Sequence, residues 1–329
     1  MMKEISLNEE KNEIYIKYQI YFNILRFFLV ILLIYISYKS NIIKIEKIER
    51  EKNYKYFFCF CSLGKSENKY VKQLVDYYKN IGVNKFYLGD NNDKDSERLS
   101  DVLTDEISSG LVEIIDLTGI NTDQLDLFIN VYDMHKHECK WMSFFDFDEY
   151  LTILPEEKNI TLEQYFSNEK FDKCNVIVVN WLLYTDNDLI KYDNRTLRER
   201  FTEPSYNHPS NRFIKSIIRG NIRWNPWTLN QTCHRPKHQL RTCDSNGDRA
   251  KTFNDVLKPP ILDNVILKHY VTKTAEEYYT KIKRGYTRLN KNLEAYIDNY
   301  FRLNKINKEK VKFFEEKFNT TFTRYHMYF

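Results

Sequence analysis

Two aspartates one residue apart, Asp146 and Asp148, close the apolar run Trp141-Met142-Ser143-Phe144-Phe145-Asp146-Phe147-Asp148-Glu149-Tyr150-Leu151, with a third carboxylate, Glu149, just behind them. In an extended chain, residues i and i+2 project to the same side, so the two carboxylates aim at one point. Hard oxygen ligands placed in this way suit Mg²⁺ or Mn²⁺ shared with a phosphate group. The same pattern also arises where a strand simply ends in a solvated acidic turn. What precedes the pair decides between these readings.

Ahead of it, the apolar pattern alternates between strands and helices. Tyr56 to Cys61 reads as a strand. Val71, Leu74, Val75 and Tyr78 then form the stripe of an amphipathic helix, closed by Gly82. Val83 to Leu88 is the next strand. Leu99, Val102, Leu103 and Ile107 mark a second helix, Leu111 to Leu117 a third strand, and Leu125 to Tyr132 a third helix. Lys140 to Phe145 is the fourth strand, and it ends at the carboxylates.

This spacing predicts an α/β fold, a mostly parallel Rossmann-like sheet with helices on both faces. Such sheets bind ligands beyond the carboxyl ends of their strands, where Cys61-Ser62, Asp90-Asn91-Asn92 and Asp146-Phe147-Asp148 fall. No Gly-x-Gly-x-x-Gly or Walker loop follows any strand, so a diphosphate would have to be held by metal and basic side chains. Farther on, Asn175 to Tyr184, Phe213 to Arg219 and Val265 to Leu267 read as strands. Arg195 to Phe201 reads as a short helix, and 274–318 as mostly helical.

With 329 residues, 42% hydrophobic and 29% charged, the chain has room for one large domain or two small ones. Its net charge of +4 is spread along the sequence, which argues against nucleic acid as a partner. The six cysteines match no metal-ligand spacing; in an oxidising compartment Cys233 and Cys243 would close a loop by disulfide, with free buried thiols as the equal alternative.

The N-terminus divides into a polar tail (1–18), an apolar span (19–38) and a charged stem (39–54), ahead of the domain at 55–329. The span reaches the length a bilayer needs, and no cleavage site follows it, so it reads as a transmembrane signal anchor. Six basic residues follow it and three precede it, which by charge counting alone leaves the domain in the cytosol.

In chain order, Cys59-Phe60-Cys61-Ser62-Leu63-Gly64, Glu67-Asn68, Asp90-Asn91-Asn92, Cys139-Lys140-Trp141, Asp146-Phe147-Asp148-Glu149-Tyr150-Leu151, Trp181, Arg200-Phe201, Lys215, His269-Tyr270 and Lys281-x-x-Arg284-Gly285 resemble glycosyltransferase family 92 and the related family-2-like transferases. The resemblance implies a GT-A fold, a nucleotide-sugar donor such as a UDP-sugar, a glycan or glycoprotein acceptor, Mn²⁺ or Mg²⁺, and a Golgi membrane anchor with the domain in the lumen. The sugar moved would be a hexose, galactose among the candidates.

Position by position, it implies that Asp146, Asp148 and His269 hold the metal, with Asp146 also serving the donor. Asp90 would face the uracil base, with Ser62 and Asn91 beside it. Lys281 and Arg284 would neutralise the departing diphosphate. Thr185-Asp186-Asn187-Asp188 stands where the family has a Gly-rich turn, and Tyr150 replaces the usual Phe.

An inverting transfer also needs a carboxylate to deprotonate the acceptor hydroxyl, and Asp186, Asp188 and Glu199 are the candidates. Trp224 and Trp227 are candidates for stacking on sugar rings. Two rival enzymes fit less well. A phosphohydrolase would carry its Asp-x-Asp after the first strand, and a nucleotidyltransferase would show an early Gly-rich loop. A non-enzymatic alternative is a membrane-tethered sugar-binding protein.

Overall fold

The computed structural model describes residues 18, 21–40, 54–120, 122–222, 234, 240–285 and 293–329. Most of the tail and stem, with Trp224, Trp227, Asn230 and Cys233, lie outside the described residues. The chain forms two units, Met1–Asn53 and Tyr54–Phe329. In the first, helix α1 (Tyr21–Ser40) is long and apolar enough to cross a membrane, and its residues are exposed.

In the second unit the elements run β1 (Tyr56–Gly64), α2 (Asn68–Asn80), β2 (Lys85–Asp90), α3 (Thr104–Ser108), β3 (Val112–Asp116), α4 (Gln124–His135), β4 (Cys139–Phe144) and β5 (Glu149–Ile153). They continue with α5 (Leu162–Phe166), β6 (Val176–Leu183), α6 (Leu197–Arg200), β7 (Ile214–Arg219), β8 (Thr242–Cys243), β9 (Val265–His269), α7 (Ala275–Lys283), α8 (Leu293–Leu303) and α9 (Lys308–Phe318).

The strands form one nine-stranded sheet in the order β3-β2-β1-β4-β7-β6-β9-β5, with β8 paired to β6. The first four are parallel, each returned by a helical crossover as the alternating pattern requires. Beyond β4 the sheet becomes mixed. β7 is antiparallel to both β4 and β6, β9 is parallel to β6, and β5 is antiparallel to β9. Side chains alternate across the sheet. Phe58 and Phe60 face α2, where Leu74, Val75 and Tyr78 are buried, while Cys59 and Cys61 share the opposite face with Phe128, Val131 and Tyr132 of α4.

Two expectations are corrected, and one strand, β5, is added to those expected. The helix expected over Leu99–Ile107 is a 3-10 turn, Leu99–Val102, followed by the five-residue α3. β5 grows directly out of the acidic motif and is buried along its whole length, on both faces. The cysteine pairs are Cys59–Cys139, across β1 and β4, and Cys174–Cys243, while Cys61 is free and buried. Cys243 therefore has a partner other than Cys233.

Helices α7, α8 and α9 share a separate aromatic core built on Tyr278, Tyr300, Phe301 and Phe314. Helix α7 is tied to the sheet domain by Glu277, whose carboxylate meets Arg200 of α6 through Nη1 at 2.7 Å and Nη2 at 2.9 Å and Tyr70 Oη of α2 at 2.6 Å. The Arg200 side chain is wholly buried and that of Glu277 nearly so. Removing one partner of a buried ion pair strands the other charge. Arg200→Met is therefore expected to destabilise the domain by about 3–5 kcal/mol in urea denaturation; a loss under 1 kcal/mol, the size typical of a surface pair, would show that the pair is not structural.

Candidate active site

Strand β4 delivers Asp146 and Asp148 to the carboxyl edge of the sheet, with Phe147 turned inward and buried between them. Room for that ring depends on Gly64 at the end of β1: a Cβ there would lie 2.7 Å from the Phe147 ring. The two aspartates keep different company. Asp146 Oδ2 takes a bond from Lys215 Nζ at 2.9 Å, and Gln124 Nε2 donates to its other oxygen. Asp148 Oδ1 lies 3.5 Å from His269 Nε2, while its Oδ2 faces Lys281 at 3.4 Å and Lys273 at 3.6 Å.

Burial alone would raise the Asp148 carboxyl, but Lys281, Lys273 and His269 outweigh it and hold the group well below the usual carboxylate range. Burial is likewise overcome at Asp146, chiefly by Lys215, so this carboxyl is lowered as well. Glu149 behaves in the opposite way. Its side chain is completely buried, one oxygen accepts from Asp146 N at 2.7 Å, and Lys215 is 3.5 Å away. Burial dominates here, only partly offset by Lys215 and reinforced by Asp146, and the carboxyl is pushed up to about 8.

His269 ends β9, paired across the sheet with Glu149, and its ring packs 4.4 Å from that of Trp181. A second ring of charge lies behind it. Arg284 Nη1 reaches Glu67 Oε1 at 2.8 Å, and Lys273 stands 3.9 Å from Glu67 Oε2. Type and spacing in the sequence point to Lys281 and Arg284 but not to Lys273, Gln124 or the task of Glu149. Nothing local marks Lys273, whose carboxylate partners lie 125 and 206 residues away.

The other expected residues are placed as follows. Asp90 is buried at the end of β2, where its oxygens accept from Asn92 N at 3.1 Å and Leu99 N at 2.8 Å and so fold the loop between them. Asn91 is half-buried in that loop, and its amide faces the carbonyls of Leu117 and Ile120. Ser62 is buried at the end of β1, and its Oγ has no hydrogen-bond partner among the described residues.

None of the three candidate bases makes a hydrogen bond or ion pair with Asp146, Asp148 or His269 among the described residues. Asp186 is buried and bound by Lys310 Nζ at 2.7 Å and by Tyr300 Oη, holding α8 and α9 against the end of β6. Asp188 shares Lys310, also at 2.7 Å, from an exposed position. Glu199 is exposed and closes the capping box of α6, accepting from Thr196 N at 2.8 Å. All three carboxylates are thus engaged in structural contacts.

Among the described residues, eleven buried side-chain polar atoms lack a partner, and six of them belong to Ser62, Glu67, Glu149, Tyr150, Trp181 and His269 around this edge. Buried polar groups are normally satisfied, so this concentration marks a place shaped for a polar ligand. Among the described residues, no three His, Cys, Asp or Glu side chains are arranged to hold a metal ion. The facing pair of Asp148 Oδ1 and His269 Nε2 nevertheless offers a hard oxygen and an imidazole nitrogen. That set fits a divalent ion that takes most of its ligands from phosphate and water.

The sequence signature of glycosyltransferase family 92 matches residues 54–321. No curated protein sequence matches the chain. Among solved structures, a crystal structure of S. aureus TarS aligns with 11% identity and a TM-score of 0.35, over 82% of this chain and 44% of that one. The chain thus spans less than half the length of that structure's chain.

Glu149 sets a pH dependence of stability. A carboxyl whose folded-state value is raised contributes stability that is complete below its unfolded value of about 4.5 and is lost as pH rises through about 8. Thermal melts should therefore show wild type losing stability between these limits, and Glu149→Gln, neutral throughout, should follow a flatter course and melt higher at pH 8.5. Parallel pH profiles for the two proteins would show that Glu149 is already ionised in the folded state at neutral pH.

Proposed function

The chain belongs to glycosyltransferase family 92, and from that membership we propose that it moves a hexose from a UDP-sugar to a glycan acceptor. One observation carries the reading. Four cations, Lys215, Lys273, Lys281 and Arg284, converge on four carboxylates, Glu67, Asp146, Asp148 and Glu149. Burial weakens the negative charge of Glu149 by pushing its carboxyl up to about 8. Converging cations beside unsatisfied polar atoms suit an anionic donor.

In this reading Asp148 and His269 hold Mn²⁺ or Mg²⁺, with Asp146 beside them, oriented by Lys215 and Gln124. When bound, the ion supplies Lewis-acid stabilisation of charge on the departing diphosphate. Lys281 and Arg284 add fixed positive charge from α7 at no cost in reorganisation during the reaction. Base recognition falls to the end of β2, where Asp90 shapes the loop that carries Asn91.

Asp148→Ala should lower turnover at least about a hundredfold, because a transition state deprived of its metal loses several kcal/mol. The check is donor consumption across a panel of UDP- and GDP-sugars with Mn²⁺, alongside circular dichroism to verify the fold. A variant as active as wild type in EDTA would remove the metal from the mechanism.

We further propose that α1 anchors the chain in a Golgi membrane, with the catalytic unit in the lumen. The two disulfides support an oxidising compartment. Four Asn-x-Thr sequons stand at Asn159, Asn194, Asn230 and Asn319; Asn230 lies outside the described residues, and the other three are exposed, as lumenal acceptors must be. The catalytic unit is expected to resist protease in sealed microsomes and to shift in mass on deglycosylation; digestion without detergent would place it in the cytosol.

A further inference from the structure

The link from β9 to α7 turns through Lys273 with φ 54°, in the left-handed region. Eight non-glycine residues among those described have positive φ, and six of them are Asn or Asp, whose short side chains tolerate it. Lys273 is the one long side chain in the set. Its conformation is held from both sides. Asn304 Nδ2 donates to Thr272 Oγ1 at 3.1 Å, and Thr274 caps α7 by accepting from Glu277 N at 3.2 Å. Strain of this kind persists only where the surroundings over-determine it, and it concentrates at functional sites.

The strain carries an ammonium into a nearly closed space. The Lys273 side chain is 6% exposed, its Nζ lies 4.5 Å above the Tyr70 ring, and its nearest anions are Asp148 Oδ2 at 3.6 Å and Glu67 Oε2 at 3.9 Å. Both separations exceed a hydrogen bond, and no described residue accepts one from this group. An ammonium has three donors, and burying it without acceptors is costly. Glu67 Oε2 and Tyr150 Oη are buried and lack a hydrogen-bond partner among the described residues, and Tyr150 lies within electrostatic reach of Asp148 and Glu67.

We propose that Lys273 binds the diphosphate of the nucleotide-sugar donor, supplying from the β9–α7 turn the contact that Lys281 and Arg284 make from the helix. The assignment rests on the nucleotide-sugar reading above. A diphosphate fits better than a single carboxylate because it presents enough oxygens to meet Lys273 while Lys281 keeps its own contact to Asp148.

The test compares affinities of the full-length protein in detergent, with Mn²⁺ present, for UDP and GDP against uridine and guanosine by titration calorimetry. Wild type is expected to prefer one diphosphate over its nucleoside. Lys273→Met should lose about 10- to 100-fold of affinity for that diphosphate and almost none for the nucleoside, the scale of one hydrogen bond to a charged group. Lys273→Arg should keep much of the preference, and Lys273→Gln serves if the methionine variant fails to fold. A wild-type protein that does not discriminate would overturn the nucleotide-sugar reading and this assignment with it. A preference that survives in Lys273→Met or Lys273→Gln would overturn the assignment of Lys273 alone, as would equal loss in the arginine and methionine variants.

Discussion

A single carboxylate, Glu277, sets where two cations of the candidate site, Lys281 and Arg284, stand. Five donors converge on it: both terminal nitrogens of Arg200, the Tyr70 hydroxyl, and the backbone N–H and hydroxyl of Thr274. Burial works against its charge, but Arg200, Tyr70 and Thr274 together more than compensate, and the carboxyl stays below its usual value. A buried ion pair is often a poor source of stability, and satisfying nearly every lone pair is what makes this one tolerable. Its consequence is positional. Glu277, Lys281 and Arg284 follow at i, i+4 and i+7, one face of one helix. Once Glu277 is docked, Lys281 and Arg284 are aimed at Asp148 and Glu67.

The first half of the fold was legible because its elements announce themselves within a short window. Strand and helix alternate in apolar period, and parallel pairing follows from the connections. The mixed half was less so. β5 begins at Glu149, inside the acidic motif, and has no polar alternation because both of its faces are buried. Its partner, β9, is more than a hundred residues away, and no local pattern encodes antiparallel pairing at that distance. The helix expected at Leu99 failed for a different reason. Asp90 captures Leu99 N, and the chain tightens into a 3-10 turn before α3 starts.

At the site, residues whose type and strand position were both informative came together: Asp148 and His269 face each other, and Lys281 reaches the same carboxylate. Asp186 and Asp188 show the opposite case. A short polar run after a strand has the composition of a ligand loop, and only Lys310, more than 120 residues on, turns it into a buried anchor. Lys215 carries the same lesson at Asp146. Ion-pair partners are chosen by the assembled fold, so sequence shows the charges but not the pairing.

The two disulfides enclose consecutive and non-overlapping segments, 59–139 and 174–243. Neither loop threads through the other, and neither requires any residue beyond Cys243. For a domain made from N- to C-terminus under oxidising conditions, the first bond can lock β1 to β4 before β5 is made, and the second can close before α7, α8 and α9 exist. The covalent framework is therefore vectorial. The strands that lead to Ser62 and the aspartate pair can be registered early, and the helix that brings Lys281 and Arg284 arrives after every strand, onto a sheet edge already fixed.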